Sequence, residues 1–373
     1  MIKKKATFKH WLSEKTSKEL DEQSKKLLHA KDVRHVRLMA DAHLANDVCV
    51  GCVLATKTLL YPAAVGGDIG CGMLAAEVDL NSDDIDASTA ENIFAHLKTN
   101  VPIQAQRKPH FVDSIGKLSS DKLRQVAQRS GGLQLGTLGR GNHFLELQRC
   151  HTSNQVWIMI HTGSRCMGPA IRDFYLTHAE GQSKGLGYLD SETERGESYL
   201  NDMQWARRYA ERNRLLILEQ CQQLFQKFFS TTIDTAQMIH CDHNHLERIS
   251  IGREQHWVHR KGACSVKGGE YAVIPGSMGS DSFHVKGKGN ADSLYSSSHG
   301  AGRQMSRKMA SRSITTNHLK EQLKSTFYQP EKLAKLTEEA PSSYKNIDNV
   351  MAQQRKLVTA VRRLSPILSY KGV

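Results

Sequence analysis

The sequence predicts one compact α+β domain over residues 1–373, and three observations predict it. Segments with helical spacing and segments with strand-like alternation follow one another in irregular order, not as repeated strand–helix–strand units. No internal repeat, low-complexity tract or interdomain linker divides the chain. Apolar residues make up 39% and charged residues 24%, a balance that excludes a disordered or membrane-spanning chain and permits a sizeable core.

The elements read in order as follows. Thr16 to Ala30 places Leu20, Leu27 and Leu28 at helical spacing, and Val33 to Met39 alternates as a half-buried strand does. Val48 to Leu60 and Met73 to Val78 are strand-like, and the glycine-rich stretch Pro62 to Gly72 between them must be a loop. Ser88-Thr89-Ala90-Glu91 resembles a capping box, which predicts a helix from Ser88 to about Thr99. Residues 156–161 are a short buried strand ending in histidine, and Gly181 to Gly196 reads as a surface loop. Apolar positions from Tyr199 to Phe229 recur at helical spacing and predict the longest helix, with Arg207, Arg208, Arg212 and Arg214 on a solvated face. Trp257 to Gly302 mixes short strands with glycine turns, and the tail Leu357 to Leu364 reads as helical before Pro366.

Lysine and arginine total 51 against 38 acidic residues, a net charge of +13 that nominates a polyanionic partner without deciding it. Residues 1–10 carry lysines but no apolar h-region follows, and no run of about 18 apolar residues occurs, so a cytoplasmic protein with no membrane partner is expected. The eight cysteines are scattered, as reduced thiols are; Cys49-Val50-Gly51-Cys52 has no second pair at zinc-ribbon distance and reads as two buried thiols.

Among 18 histidines, four sit on loops at strand ends with glycine or asparagine around them, where ligands project: His143, His161, His243 and His299. Singly, each is more often a hydrogen-bonded structural histidine. Together with Asp68 and Cys71, which lie one loop-turn apart, they offer a carboxylate, a thiolate that can bridge two cations, and imidazoles. By ligand type alone that set admits zinc, manganese or iron. Pro275-Gly276-Ser277-Met278-Gly279 and His299-Gly300-Ala301-Gly302-Arg303 expose backbone N–H groups of the kind that hold phosphates, yet neither is a Walker A or a Rossmann fingerprint.

The ordered motifs VGGDIGCGM, LGTLGRGNHFLE, IHTGSR, DHNH, HRKGA, IPGSMGS, SSHGAGRQMSR, APSSYKNID and the terminal KG resemble the RtcB family of RNA ligases, from Asp41 to Gly372. The resemblance implies a domain of mixed β-sheets and surrounding helices around a central metal and nucleotide cleft. It implies GTP- and manganese-dependent joining of RNA 3′-phosphate or 2′,3′-cyclic phosphate ends to 5′-hydroxyl ends, in RNA repair or tRNA and rRNA processing. One Mn²⁺ would be held by Cys71, His161 and His243 and a second by Asp68, Cys71 and His143. His299 would carry GMP, oriented by Asp41. The nucleotide pocket would draw on Asn142, His143, Phe144, Leu145, Glu146, His243, Asn244, Pro275, Gly276, Ser277, Met278, Ser282, His299, Gly300, Ala301, Gly302 and Lys371. A monomer is expected, with an accessory activator protein as a candidate partner. Two stretches depart from the family pattern, Leu44-Ala45-Asn46-Asp47 and Arg165-Cys166-Met167-Gly168, which points to a divergent branch with its own RNA target.

Overall fold

The structure is a computed structural model that describes residues 6–13 and 17–373. It is a mixed α+β architecture built on two large sheets. One has five strands in the order Thr7–His10, Val33–His43, Val50–Thr56, Glu254–Lys261 and Asn244–Ile251. The other has seven, in the order Ile233–Asp242, Gly72–Asn81, Gln155–Thr162, Phe144–Cys150, Val358–Lys371, Ser282–Gly287 and Tyr271–Ile274, every neighbouring pair antiparallel.

Strand alternation sends side chains to both faces of the seven-stranded sheet, and both are buried. Leu74, Ala76, Ile158 and Ile160 pack against Ile93 and Leu97 of the helix Ala87–Asn100 and against Ile217, Cys221 and Leu224 of the helix Glu194–Phe229. The opposite face buries Met73, Ala75, Trp157 and Met159 with Val273 and Leu364. The Glu194–Phe229 helix has 36 residues and is capped by the Thr193 hydroxyl accepting from the Gly196 N–H. At about 1.5 Å per residue it spans about 54 Å, long enough to back the whole sheet.

Several sequence expectations change here. The first helix runs Lys18–Leu28, and Thr16 lies outside the described residues. The cap of the second helix is Asp86, whose carboxylate accepts from the Thr89 N–H, two residues before the expected Ser88. The stretch from Gly181 is not a plain loop: Gly181–Ser183 and Leu186–Asp190 pair as a hairpin, and the long helix begins at Glu194. Val48 to Leu60 is two strands, Val50–Thr56 and Leu59–Leu60. The tail is a strand, Val358–Lys371, held between Phe144–Cys150 and Ser282–Gly287. Local spacing favoured a helix there, but pairing on both sides overrides local propensity. Pro366, which lacks an N–H, is accommodated where the register shifts between Pro366 and Leu368. All eight cysteines are free, and Cys49 and Cys52 are buried as expected. Among the described residues no helix is long and apolar enough to cross a membrane.

Candidate metal and nucleotide site

The seven-stranded sheet gathers the site at one edge. Gly72 pairs with Thr162 on one side and Asp242 on the other, while Phe144 pairs with His161 and with Lys371. Two strand starts and three strand ends therefore coincide in space. Cys71, His143, His161, His243 and Lys371, separated by up to 300 residues in sequence, become neighbours because the strands are antiparallel.

Two triads of ligand atoms result, one of Cys71, His161 and His243 and one of Asp68, Cys71 and His143, each with its atoms within 4.8 Å of one another. Cys71 Sγ lies 3.3 Å from His161 Nε2 and 3.5 Å from His143 Nε2. His161 Nε2 is 3.4 Å from His243 Nε2, and His143 Nε2 is 2.9 Å from Asp68 Oδ2. These are the five residues expected as ligands, in the two expected groups. Gly163 makes the approach of Asp68 possible: a Cβ there would stand 2.2 Å from Asp68 Oδ1.

The donor chemistry suits borderline divalent cations. Burial drives His161 and His243 well below the usual histidine range, so both rings are neutral and their lone pairs are available. His161 Nδ1 lies 3.1 Å from the Asn142 carbonyl and donates to it, which fixes the tautomer that aims the Nε2 lone pair at Cys71. Burial works to raise the Asp68 carboxyl, but the hydrogen bond from His143 and the charges of His143 and Arg165 outweigh it and hold it at about 2. Burial and the Asp68 charge push the Cys71 thiol up, so a cation would bind in exchange for its proton. Magnesium, which prefers oxygen ligands, fits this set poorly.

Next to this cluster stands His299, its ring centroid 4.7 Å from that of His243. Its Nδ1 donates to Asp41 Oδ2 at 2.6 Å, and the same oxygen accepts the N–H groups of His299 and Gly300 at 3.1 and 3.3 Å. Asp41 is fully buried. Burial alone would raise its carboxyl, yet the His299 partnership holds it below the ordinary range. A fixed Nδ1–H leaves the lone pair on Nε2, which is the atom a nucleophilic histidine uses. Gly302, at φ +76°, lets the loop close on this pair: a Cβ there would lie 2.2 Å from the Asp41 carbonyl oxygen.

A cavity of about 240 Å³ opens beside His299. Of the expected nucleotide residues, Asn142, Phe144, Glu146, Pro275 to Met278, His299 to Gly302 and Lys371 line it. His143 and His243 belong to the two triads of candidate ligands, and Leu145 faces the core. Asn244 also lies outside the lining, its amide donating to the Asp68 carbonyl and accepting from the Gly262 N–H. Ser282 is buried behind the wall, accepting from the Gly276 N–H and from Gln148. The picture of free backbone N–H groups changes accordingly. Those of Gly276 and Ser277 are taken by the hydroxyls of Ser282 and Ser280, and those of His299 and Gly300 by Asp41.

Side chains without an assigned role in the sequence complete the wall. Arg303, Arg307 and Tyr344 line the cavity, and buried Glu339 ties them to Lys371, with Arg303 Nη1 at 3.2 Å, Arg307 Nε at 3.1 Å and Lys371 Nζ at 3.2 Å. Three cations thus converge on one carboxylate. Arg303, Arg307 and Tyr344 sit inside motifs quoted above, which was the available signal; nothing local marked Glu339.

The long helix also holds the site: Arg208 and Arg212 are exposed as expected, but Arg214 is buried and Arg207 half-buried, which corrects the solvated reading for these two. Arg214 is 2% exposed and donates to the carbonyls of Gly70 at 2.9 Å and Thr162 at 2.8 Å, and to His240 at 2.6 Å. Arg207 pairs with Asp242 at 2.6 Å. Replacing Arg214 by Met keeps the bulk and strands both carbonyls, so a loss of about 2–5 kcal/mol is expected in denaturant unfolding of metal-free protein. An unchanged midpoint would show that the helix does not support these loops.

A buried cluster of histidines, a thiol and a carboxylate, beside a further histidine held by a buried aspartate, could hold divalent cations next to a cavity of small-ligand size. The family profile described as tRNA-splicing ligase RtcB matches residues 23–126 and 110–372. The chain is 34% identical to the RNA-splicing ligase RtcB of Escherichia coli strain K12, over 91% of this chain and 90% of that protein. It is 28% identical to the tRNA-splicing ligase RtcB of Methanococcus maripaludis, over 90% of this chain and 87% of the relative, and 27% identical to that of Thermococcus kodakarensis over the same shares. The chain belongs to the RtcB family.

Proposed function

We propose that this protein is an RNA ligase that joins 3′-phosphate or 2′,3′-cyclic phosphate ends to 5′-hydroxyl ends, using GTP through a guanylate carried on His299. The observation that carries the reading is His299 itself: one ring nitrogen is fixed by buried Asp41, and the ring stands between the metal cluster and the cavity. A two-cation site without such a histidine would suit a phosphodiesterase equally well.

In this reading water first attacks a cyclic phosphate, breaking the P–O2′ bond to leave a 3′-phosphate and a 2′-hydroxyl. His299 Nε2 then attacks the α-phosphorus of GTP and pyrophosphate leaves, with Asp41 stabilising the positive charge that develops on the ring. GMP passes to the RNA 3′-phosphate to give RNA-(3′)pp(5′)G, and the 5′-hydroxyl displaces GMP. Two Mn²⁺ ions, held by Cys71, His161 and His243 and by Asp68, Cys71 and His143, would supply charge neutralisation for the phosphates. Lys371, Arg303 and Arg307 place further positive charge at the cavity wall. Labelled GTP with Mn²⁺ is expected to leave an adduct of about 345 Da on the protein, followed by joining of a 3′-phosphate RNA to a 5′-hydroxyl RNA. RNA cleavage with no adduct would favour a metallo-phosphodiesterase instead.

Glu146 supports guanine as the base. Its two oxygens accept from Gln148 and Ser369 at 2.9 Å each, and each oxygen retains a second lone-pair direction. A carboxylate accepts from guanine N1–H and its exocyclic amine, whereas adenine presents an acceptor at N1. Burial raises Glu146 to about 7, so its ionised form becomes populated only as pH rises through neutrality. GTP affinity should therefore increase with pH up to about 7 and fall about tenfold per unit below it. By the same linkage, this group's contribution to the stability of free protein is full below its unfolded value and is lost as pH rises through about 7. Calorimetric titration with GTP across that range tests the binding trend, and Glu146→Gln is expected to flatten it. A wild-type affinity independent of pH would remove Glu146 from base recognition.

A further inference from the structure

His43 lies two residues beyond Asp41 in the Val33–His43 strand, where the register with Val50–Thr56 shifts between Leu38 and His43. Its Nδ1 is 2.9 Å from the Asp41 carbonyl oxygen and donates to it, which leaves the lone pair on Nε2. The ring lines the 240 Å³ cavity beside His299 and also a much larger groove of about 1310 Å³. That groove is bounded by Leu44, Arg303, Arg307, Lys345 and Arg363, and one of the stretches departing from the family pattern, Leu44-Ala45, forms part of its rim. His43 thus stands at the junction of a compartment of small-ligand size and a groove about five times its volume.

The joining step needs a group at such a junction. Its nucleophile is a neutral hydroxyl on one RNA end, and its electrophile is a phosphorus on the other. As the new O–P bond forms, the P–O bond to GMP breaks with its electron pair, and the hydroxyl proton must pass to a base. Resting on the ligase reading above, we propose that His43 Nε2 accepts that proton, with the incoming 5′-hydroxyl strand lying in the large groove. Asp41 would then serve both histidines, its carboxylate fixing His299 for guanylate transfer and its carbonyl fixing His43 for joining. Burial lowers His43 to about 4, and the charged groups facing it are Asp41, His299 and Lys345, so the ring is neutral and able to accept a proton at physiological pH. Arriving phosphates raise its proton affinity at the moment it is used.

The test separates the steps. His43→Asn keeps an amide donor near Nδ1 and removes the Nε2 base; His43→Gln puts a non-basic amide near Nε2 and serves as the companion should the first misfold. Each variant is incubated with GTP, Mn²⁺, a 3′-phosphate RNA and a 5′-hydroxyl RNA in single turnover. The expected result is adduct formation within about threefold of wild type, accumulation of RNA-(3′)pp(5′)G, and joining slowed by about 10²–10⁴-fold. Joining within about threefold of wild type overturns the proposal. An equal loss in guanylylation and joining also overturns it, because His43 would then act through Asp41 and His299 as a positioning residue. Wild-type protein that forms no adduct overturns the ligase reading and this proposal with it, whereas the first two outcomes leave that reading standing.

Discussion

His299→Ala is expected to abolish the labelled guanylate adduct, a fall on the order of 10⁴-fold or more, equivalent to about 5.5 kcal/mol of lost transition-state stabilisation. The size follows from covalent catalysis: removing the side chain removes the atom that would form the bond to phosphorus. His243 is the nearest ring, but it is a member of a metal triad and lacks a carboxylate partner of the Asp41 kind. The variant should still bind GTP and the same number of cations, because the cavity walls and both ligand triads are unchanged. Given chemically prepared RNA-(3′)pp(5′)G and a 5′-hydroxyl RNA, it should join them, since the step that needs His299 has been bypassed. Mass spectrometry of the adduct and gel analysis of joining read these outcomes separately. An adduct that survives the substitution would move the guanylate elsewhere and dismantle the mechanism.

The site was more legible in the sequence than the fold around it. Cys71, His143, His161 and His243 each sit at or beside a strand end, so a chemically conspicuous residue occurs within two residues of glycine or asparagine and can be read locally. The strand ends that bring them together are long-range pairings, which no local window contains. The tail shows the same limit from the other side. Val358–Lys371 is a strand because Phe144–Cys150 and Ser282–Gly287 flank it, and its own spacing suggested a helix. Arg214 was read as solvated for a related reason: helical periodicity assigns a face, but two carbonyls from distant loops decide that a buried guanidinium is satisfied there. Glu339 was invisible because a single carboxylate in a charged stretch becomes a hub only when three cations from elsewhere in the chain reach it.

Cys71→Ala is expected to remove both cations, whereas His243→Ala or His143→Ala should remove one. The asymmetry follows from geometry, since the Cys71 sulfur is the only ligand atom common to the two triads among the described residues. A thiolate between two cations neutralises part of their mutual repulsion as well as binding each. Removing it would therefore leave any cations held by the two triads with one ligand fewer apiece and their repulsion less offset. Elemental analysis after dialysis against Mn²⁺ should give about two equivalents for wild type, about one for either histidine variant and close to none for Cys71→Ala. Thermal melts provide an independent reading. Mn²⁺ at about 100-fold over the dissociation constant stabilises the native state by about 2.7 kcal/mol per site, and that increment should vanish in Cys71→Ala. The metal-free variant should fold normally, because Cys71 without a cation is a buried, protonated thiol whose replacement leaves no charge unpaired. Guanylylation of His299 should disappear with the metal while GTP still reaches the cavity. Two equivalents retained by Cys71→Ala would mean that the ligands form separate sites, and the shared-thiolate arrangement would have to be given up.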